Sequence, residues 1–267
     1  MKPAAVMAVV GELRSLRQTL VEEVAPARPG PIVVSGVLAE QLAKELGAGA
    51  APGAVVVGTG PPRADAEVLV HIIAGDPIAA DDELVRNANA QDLSVVLVEL
   101  WPQADWTRLF VLTPFVVECE AGHGFPVREI ADRIAEATQD SGLLASAVPA
   151  IADSARAGIV KQSLIRSALL GITGARSGAS RPLISLEQVR MVSRLRAVES
   201  EPADAVERSE IVASAAVVLS SGFAFRSVAR SARTVLPAPI AHAAVAVAGT
   251  YVLAKAHAIA AARLRKS

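Results

Sequence analysis

The chain has 267 residues, 52% of them hydrophobic and 20% charged. That balance excludes a disordered chain, and the length suits one large domain or two ordinary ones. One cysteine, Cys119, allows no internal disulfide and fits a reducing compartment. The net charge of −1 conceals a division of sign. Residues 1–138 carry 10 Lys and Arg against 19 Asp and Glu, a balance of −9; residues 139–267 carry 16 against 8, a balance of +8. An acidic half joined to a basic half predicts two domains with different partners. Aromatics at 3% are too scarce for a nucleic-acid stacking platform, so lipid or protein is the expected partner of the basic half, and no nucleic acid.

The opening stretch meets Glu12 and Arg14 inside a short apolar run and shows no cleavage site, so no secretory leader is expected. Val9, Leu13, Leu16 and Leu20 recur at helical spacing and predict one amphipathic helix over 4–24, ended by the Pro-rich linker 25–31. From residue 31 the period changes. Largely apolar runs at 31–35, 54–57, 67–73, 93–100 and 115–118 read as short strands buried on both faces. Helical segments at 36–46, 81–90 and 126–138 stand between or after them, and this alternation predicts a parallel, three-layer α/β sheet domain over 31–138.

Past Thr138 strand signals vanish, and 139–267 reads as all-α. A helix over 143–170 is expected to stop at Gly171. A second, over 185–198, has Ser185 and Gln188 at capping-box spacing. A charged linker, 199–210, leads to a stretch, 211–267, that contains no Asp or Glu and seven Lys or Arg. The cations Arg226, Arg230, Arg233, Arg263, Arg265 and Lys266 bracket two apolar segments, 211–225 and 235–254. Such a hairpin suits an anionic membrane surface, where each Lys or Arg contributes about 1 kcal/mol. The first segment is short for a span, and the second has Pro237, Pro239 and His242 in its first half. Peripheral association with the cytoplasmic face, with the six cations as membrane contacts, is the expectation. Insertion into the membrane, or burial of the hairpin in a soluble, oligomeric bundle, are the alternatives.

Candidate chemistry is sparse. Ligands of open parallel sheets bind at the carboxyl ends of the strands. The first strand is followed by SGVLAEQL (35–42), where a phosphate-binding loop would need a second glycine, a lysine and a magnesium-binding hydroxyl; only Gly36 is in place. Cys119 and His123 lack further ligands, so no metal and no cofactor is expected. His71 reads as a satisfied core residue. His242 and His257 could share a helix face without a carboxylate. Asp76, Asp81, Asp82 and Glu83 read as a solvated helix start rather than a cation site.

The order of elements over 31–138 resembles a small Era-type GTPase domain whose signatures are worn away. Gly58 to Pro62 (GTGPP) stands where that family has its Asp-x-x-Gly loop, without the Asp, and the span before residue 54 is too short for the usual switch region. Of the base-reading Asn-Lys-x-Asp only Asp105 is kept, and of the Ser-Ala-x-x-Gly-x-Gly loop only Gly122 and Gly124. In the helical half, Leu186-Glu187-Gln188-Val189-Arg190-Met191 resembles the Leu-x-x-Gln-x-x-Met helix of the YcjF-type domain of unknown function. The Pro-containing turn at 236–239 before an Ala/Gly-rich helix is similar to that domain's C-terminal signature. The resemblance implies a pseudo-GTPase joined to a membrane-associated helical domain: a non-catalytic scaffold whose α/β part binds a protein partner, a true GTPase or another copy of itself. The alternative it leaves open is a divergent GTP-binding protein using Gly36, Asp105, Gly122 and Gly124.

Overall fold

The computed structural model describes residues 29–103, 109, 111–112, 115–138, 140–174, 180–199 and 237–264. The amphipathic helix expected over 4–24 and the apolar segment 211–225 lie outside the described residues.

Five strands form one sheet: β1 (Ile32–Gly36), β2 (Val55–Val57), β3 (Val68–Ala74), β4 (Ser94–Leu100) and β5 (Val116–Cys119). Every pairing is parallel and the order is β2-β1-β3-β4-β5. The five apolar runs are these strands, each within about one residue of its expected bounds, which is the usual latitude of element ends. The chain leaves β1 for β2 on one side and returns to β3 on the other. The gap between β1 and β3 is therefore the switch point at which this doubly wound order can open a crevice.

Alternation along the strands sorts the side chains onto two faces. Val33, Leu69, Ile73, Val95 and Leu97 form one core cluster with Val85 and Ala88 of helix α2 (Ala79–Ala90). Ile32, Val34, Val68, Val70, Val96 and Val98 point the other way and are also fully buried. Helices α1 (Ala39–Leu46) and α3 (Val127–Ala137), which touch one another, cover that second face. Helix α4 (Ser141–Ala147) and a 3-10 turn at Pro149–Ile151 pack against α3, and the Ala51 N–H bonds the Ala147 carbonyl at 2.8 Å. The compact unit built on the sheet therefore runs past Thr138 to Gly158.

The second unit takes Ile159–Glu199 and the C-terminal helix. Its elements are the later part of α5 (Ala152–Gly174), α6 (Ser180–Glu199) and α7 (Ala238–Leu264). Three expectations are corrected here. The single helix expected over 143–170 is broken at Val148 into α4, the 3-10 turn and α5. Helix α5 does not stop at Gly171 but runs on to Gly174, and α6 starts at Ser180, so Ser185 lies inside a helix and caps nothing.

Candidate functional site

The carboxyl edge of the sheet is where an α/β domain does its work, and here the β1–α1 connection is short. Only Val37 and Leu38 separate the strand from the helix. Gly36 sits at φ +93°, and a Cβ on it would lie 2.0 Å from the Ile72 carbonyl oxygen. The Val37 N–H is spent on that same carbonyl at 3.0 Å. Leu38 adopts the left-handed conformation, φ 56°, and its carbonyl accepts from Gln41 and Leu42. Glu40 places a carboxylate in the first turn of α1, the position whose helix dipole would otherwise favour an anionic ligand.

Immediately beside this turn lies a polar chain within the apolar core. The β1–β3 register sets Ser35 against His71. The Ser35 Oγ lies 2.9 Å from His71 Nδ1, and His71 Nε2 lies 2.9 Å from Asp81 Oδ1 in the first turn of α2. Asp81 Oδ2 accepts from the Ile78 backbone N–H at 2.9 Å, closing the start of that helix. With the ring proton on Nε2, His71 donates to Asp81 and accepts the Ser35 hydroxyl, so each polar atom in the chain has a partner. The residue types are those of a hydrolytic triad, but Ser35 is only 5% exposed and His71 3%. The arrangement ties β1, β3 and α2 together. His71 is thus the satisfied core residue the sequence suggested, while its link to Ser35 and Asp81 was not foreseen. The one clue was that Ser35 and His71 are polar residues on otherwise apolar strands; their meeting depends on strand order and register.

Removing a member of such a chain strands its buried neighbours, at about 1–3 kcal/mol for each unsatisfied group. His71→Ala is expected to lower stability by ~3 kcal/mol and Ser35→Ala by ~1 kcal/mol. The double variant should lose less than the two together, because both break one chain. Urea unfolding of the three variants checks this; strictly additive losses would mean that the two side chains act independently.

The remaining sheet-edge candidates do not converge. Cys119 is buried, and desolvation, reinforced by Glu129, pushes its thiol up to about 11, which leaves it a poor nucleophile near neutrality. His123 is exposed in the following turn. Gly122 (φ +83°) and Gly124 have open space where a Cβ would be, and Asp105 lies outside the described residues. Asp82 pairs with Arg86 on α2. Among the described residues no group of three His, Cys, Asp or Glu side chains could hold a metal ion.

The helical unit has an unusual distribution of polarity. The buried stripe of α5 is Ile159, Ser163, Ser167 and Gly171, spaced by one turn, while Ile165, Leu169 and Ile172 are exposed. The Ser163 hydroxyl donates to Glu187 at 3.1 Å, and Arg166 lies 3.8 Å from the same carboxylate. Ser167 meets Thr250 at 2.9 Å, and Gln188 donates to Thr250 at 3.3 Å. Thr250 and Ser167 are completely buried. On the outside of α7 stand Ile240, Tyr251, Val252 and Ile259, each about half exposed. Several hydrogen-bonding side chains of this unit are thus buried while several large apolar ones are half exposed; Lys161, Gln162, Arg166 and Lys255 are exposed as well, and Val189, Met191, Leu195 and Leu253 are buried. The segment Pro239–Ile259 is long and apolar enough to cross a membrane, with 33% of its window buried.

Of the six cations expected at a membrane, Arg226, Arg230, Arg233, Arg265 and Lys266 lie outside the described residues; Arg263 is in the last turn of α7, its side chain outside them. The His242–His257 pairing is corrected in one respect, since His257 has a carboxylate nearby, Glu199 at 3.8 Å.

No family model, no curated protein and no solved structure matches the chain.

Proposed function

We propose that the chain is a non-catalytic adaptor. On this reading its sheet unit is a degenerate Era-type GTPase-like domain that binds a protein partner, a true GTPase or another copy. Its helical unit is a YcjF-type domain that holds the assembly at the cytoplasmic face of a membrane. The observation that carries the reading is the set of half-exposed large apolar side chains on α5 and α7 beside a buried, hydrogen-bonded polar cluster. In water, exposing Ile165, Leu169, Val252 and Ile259 forgoes about 1.5–3 kcal/mol for each large aliphatic side chain left unburied. Against lipid the same faces are matched to their surroundings, and polar groups are then best placed inside the bundle, where Ser163 bonds Glu187 and both Ser167 and Gln188 bond Thr250. Tyr251 with Lys255 5.7 Å above its ring suits the interfacial level, where an aromatic ring and a long cationic side chain both find an apolar and a wet side.

The non-catalytic part rests on the β1–α1 connection. A loop that wraps a phosphate needs several free backbone N–H groups between strand and helix. Here two residues make the connection, one N–H is committed to Ile72, and Glu40 contributes a repelling charge. Isothermal titration with GTP, GDP and ATP is expected to give no heat. Replacing Val252 and Ile259 by Glu should abolish flotation with anionic liposomes while leaving helix content unchanged. Nucleotide heat would favour a divergent GTP-binding protein. Unchanged flotation of the Glu variant would refer the outward faces to contacts between copies of a soluble oligomer.

A further inference from the structure

The carboxyl edge of the sheet presents a second anomaly, separate from the outward faces of the helical unit. Three non-glycine residues among those described have positive φ: Leu38, Asp92 and Trp101, all at 56°. Asp tolerates the left-handed region, whereas a bulky apolar side chain there is strained. Leu38 follows β1 and Trp101 follows β4. The two strands are separated only by β3, so their ends are about 10 Å apart. Ile78, in the connection after β3, stands between them in strand order. These side chains are 49%, 53% and 65% exposed, and Val37 beside Leu38 is 48% exposed. The fold gains little from a strained Leu or Trp that is only half covered: an Asn would satisfy the same backbone with less strain. Backbone strain of this kind collects at functional positions, and Trp is among the residues enriched at interface hot spots.

The charge around these anchors says what covers them. Glu40, Glu83, Glu118 and Glu120 are exposed on or next to the same loops, while Arg128 is the exposed cation at the start of α3. An acidic rim repels an anionic membrane and favours a cationic partner. We propose that this edge docks a basic amphipathic segment of another protein, its apolar side on Val37, Leu38, Ile78 and Trp101 and its Lys or Arg residues on the acidic rim. The proposal rests on the reading of the sheet unit as a partner-binding domain and names the chemistry of that partner.

The test uses the full-length chain with Trp106 replaced by Phe, so that Trp101 alone reports, and a synthetic amphipathic Leu/Lys helix as the probe. Titration is expected to shift Trp101 emission to the blue, and a Leu/Glu helix of the same pattern should give no shift. The Leu38→Asn variant should weaken the Leu/Lys helix at least about tenfold, and Leu38→Asn/Trp101→Asn, followed by labelled peptide, should abolish binding. Both variants should keep the parental urea midpoint or exceed it, because Asn tolerates the left-handed backbone. Equal binding of both helices, or binding that survives the double variant, overturns the proposal. A blue shift that grows with protein concentration alone assigns the edge to a second copy, and one produced by anionic vesicles assigns it to lipid; either outcome overturns it as well. Liposome flotation and nucleotide heat, read on the same double variant, report on the proposed function independently. A chain that floats and binds no nucleotide yet ignores the Leu/Lys helix defeats this inference alone.

Discussion

Gly36→Ala is expected to cost the sheet unit about 3 kcal/mol or more, a large fraction of the ~5–15 kcal/mol that usually separates a folded domain from its unfolded chain. Two effects combine. The first is conformational: at φ +93° an L side chain meets its own backbone, which costs about 1–3 kcal/mol. The second is steric, and no rotamer relieves it. The new Cβ would sit 2.0 Å from the Ile72 carbonyl oxygen, so β1 and β3 must separate at the point where Val37 N–H bonds that same oxygen. Separation there also pulls Ser35 from His71. Urea unfolding followed by far-ultraviolet dichroism reads the effect as a fall in midpoint. A midpoint near that of the parent would mean that the β1–α1 turn has a different backbone. The same glycine is the one position the chain shares with a phosphate-binding loop, and its strict requirement here comes from packing, with no ligand needed to explain it.

Gly171→Leu, in the helical unit, and Gly158→Ala, at the end of the sheet unit, are expected to act in opposite directions on one helix. Both glycines lie in α5. A Cβ at Gly171 would fall 2.7 Å from Ala243 Cα and 2.9 Å from its nitrogen, so α5 and α7 are in backbone contact there. A Leu side chain forces the helices apart, breaks the Ser167–Thr250 hydrogen bond one turn away, and should cost about 2–4 kcal/mol. A Cβ at Gly158 meets nothing within 4 Å, and Ala there gains ~0.5–1 kcal/mol from reduced chain entropy. Thermal melts in detergent or lipid compare the two. If Gly171→Leu were neutral, α7 would not lie against α5 at this point.

These two glycines also mark where the sequence could and could not be read. Strands such as Ile32–Gly36 and Val68–Ala74 were legible because both faces of a parallel sheet are covered, leaving largely apolar runs bounded by turn residues. Their order was not legible, since nothing in a run of valines says which neighbour it pairs with. The Ser35–His71–Asp81 chain, which depends on that order, therefore stayed hidden as three unrelated residues. Gly171 was expected to stop a helix because glycine costs about 1 kcal/mol in a helix interior. Contact with Ala243 outweighs that cost, and the helix continues. Ser185 with Gln188 matched a cap because the i, i+3 pattern occurs inside helices as readily as at their starts. Gln188 is there to reach Thr250, and Glu187 to reach Ser163. The apolar, acid-free character of the C-terminal stretch was plain from composition. That Thr250 of α7 would be buried against Ser167 and Gln188 required the positions of α5 and α6.

Liposome flotation of the full-length chain beside a truncation lacking residues 211–267, on neutral and anionic vesicles at low and high salt, tests membrane attachment through the C-terminal stretch. The full-length chain is predicted to float with anionic vesicles, and the truncation to stay at the bottom of the gradient. Salt should weaken the binding, because the Debye length falls from about 10 Å at 0.1 M to about 3 Å at 1 M ionic strength. Failure of the full-length chain to float on either kind of vesicle would contradict the account and leave the outward apolar faces of α5 and α7 as surfaces between proteins.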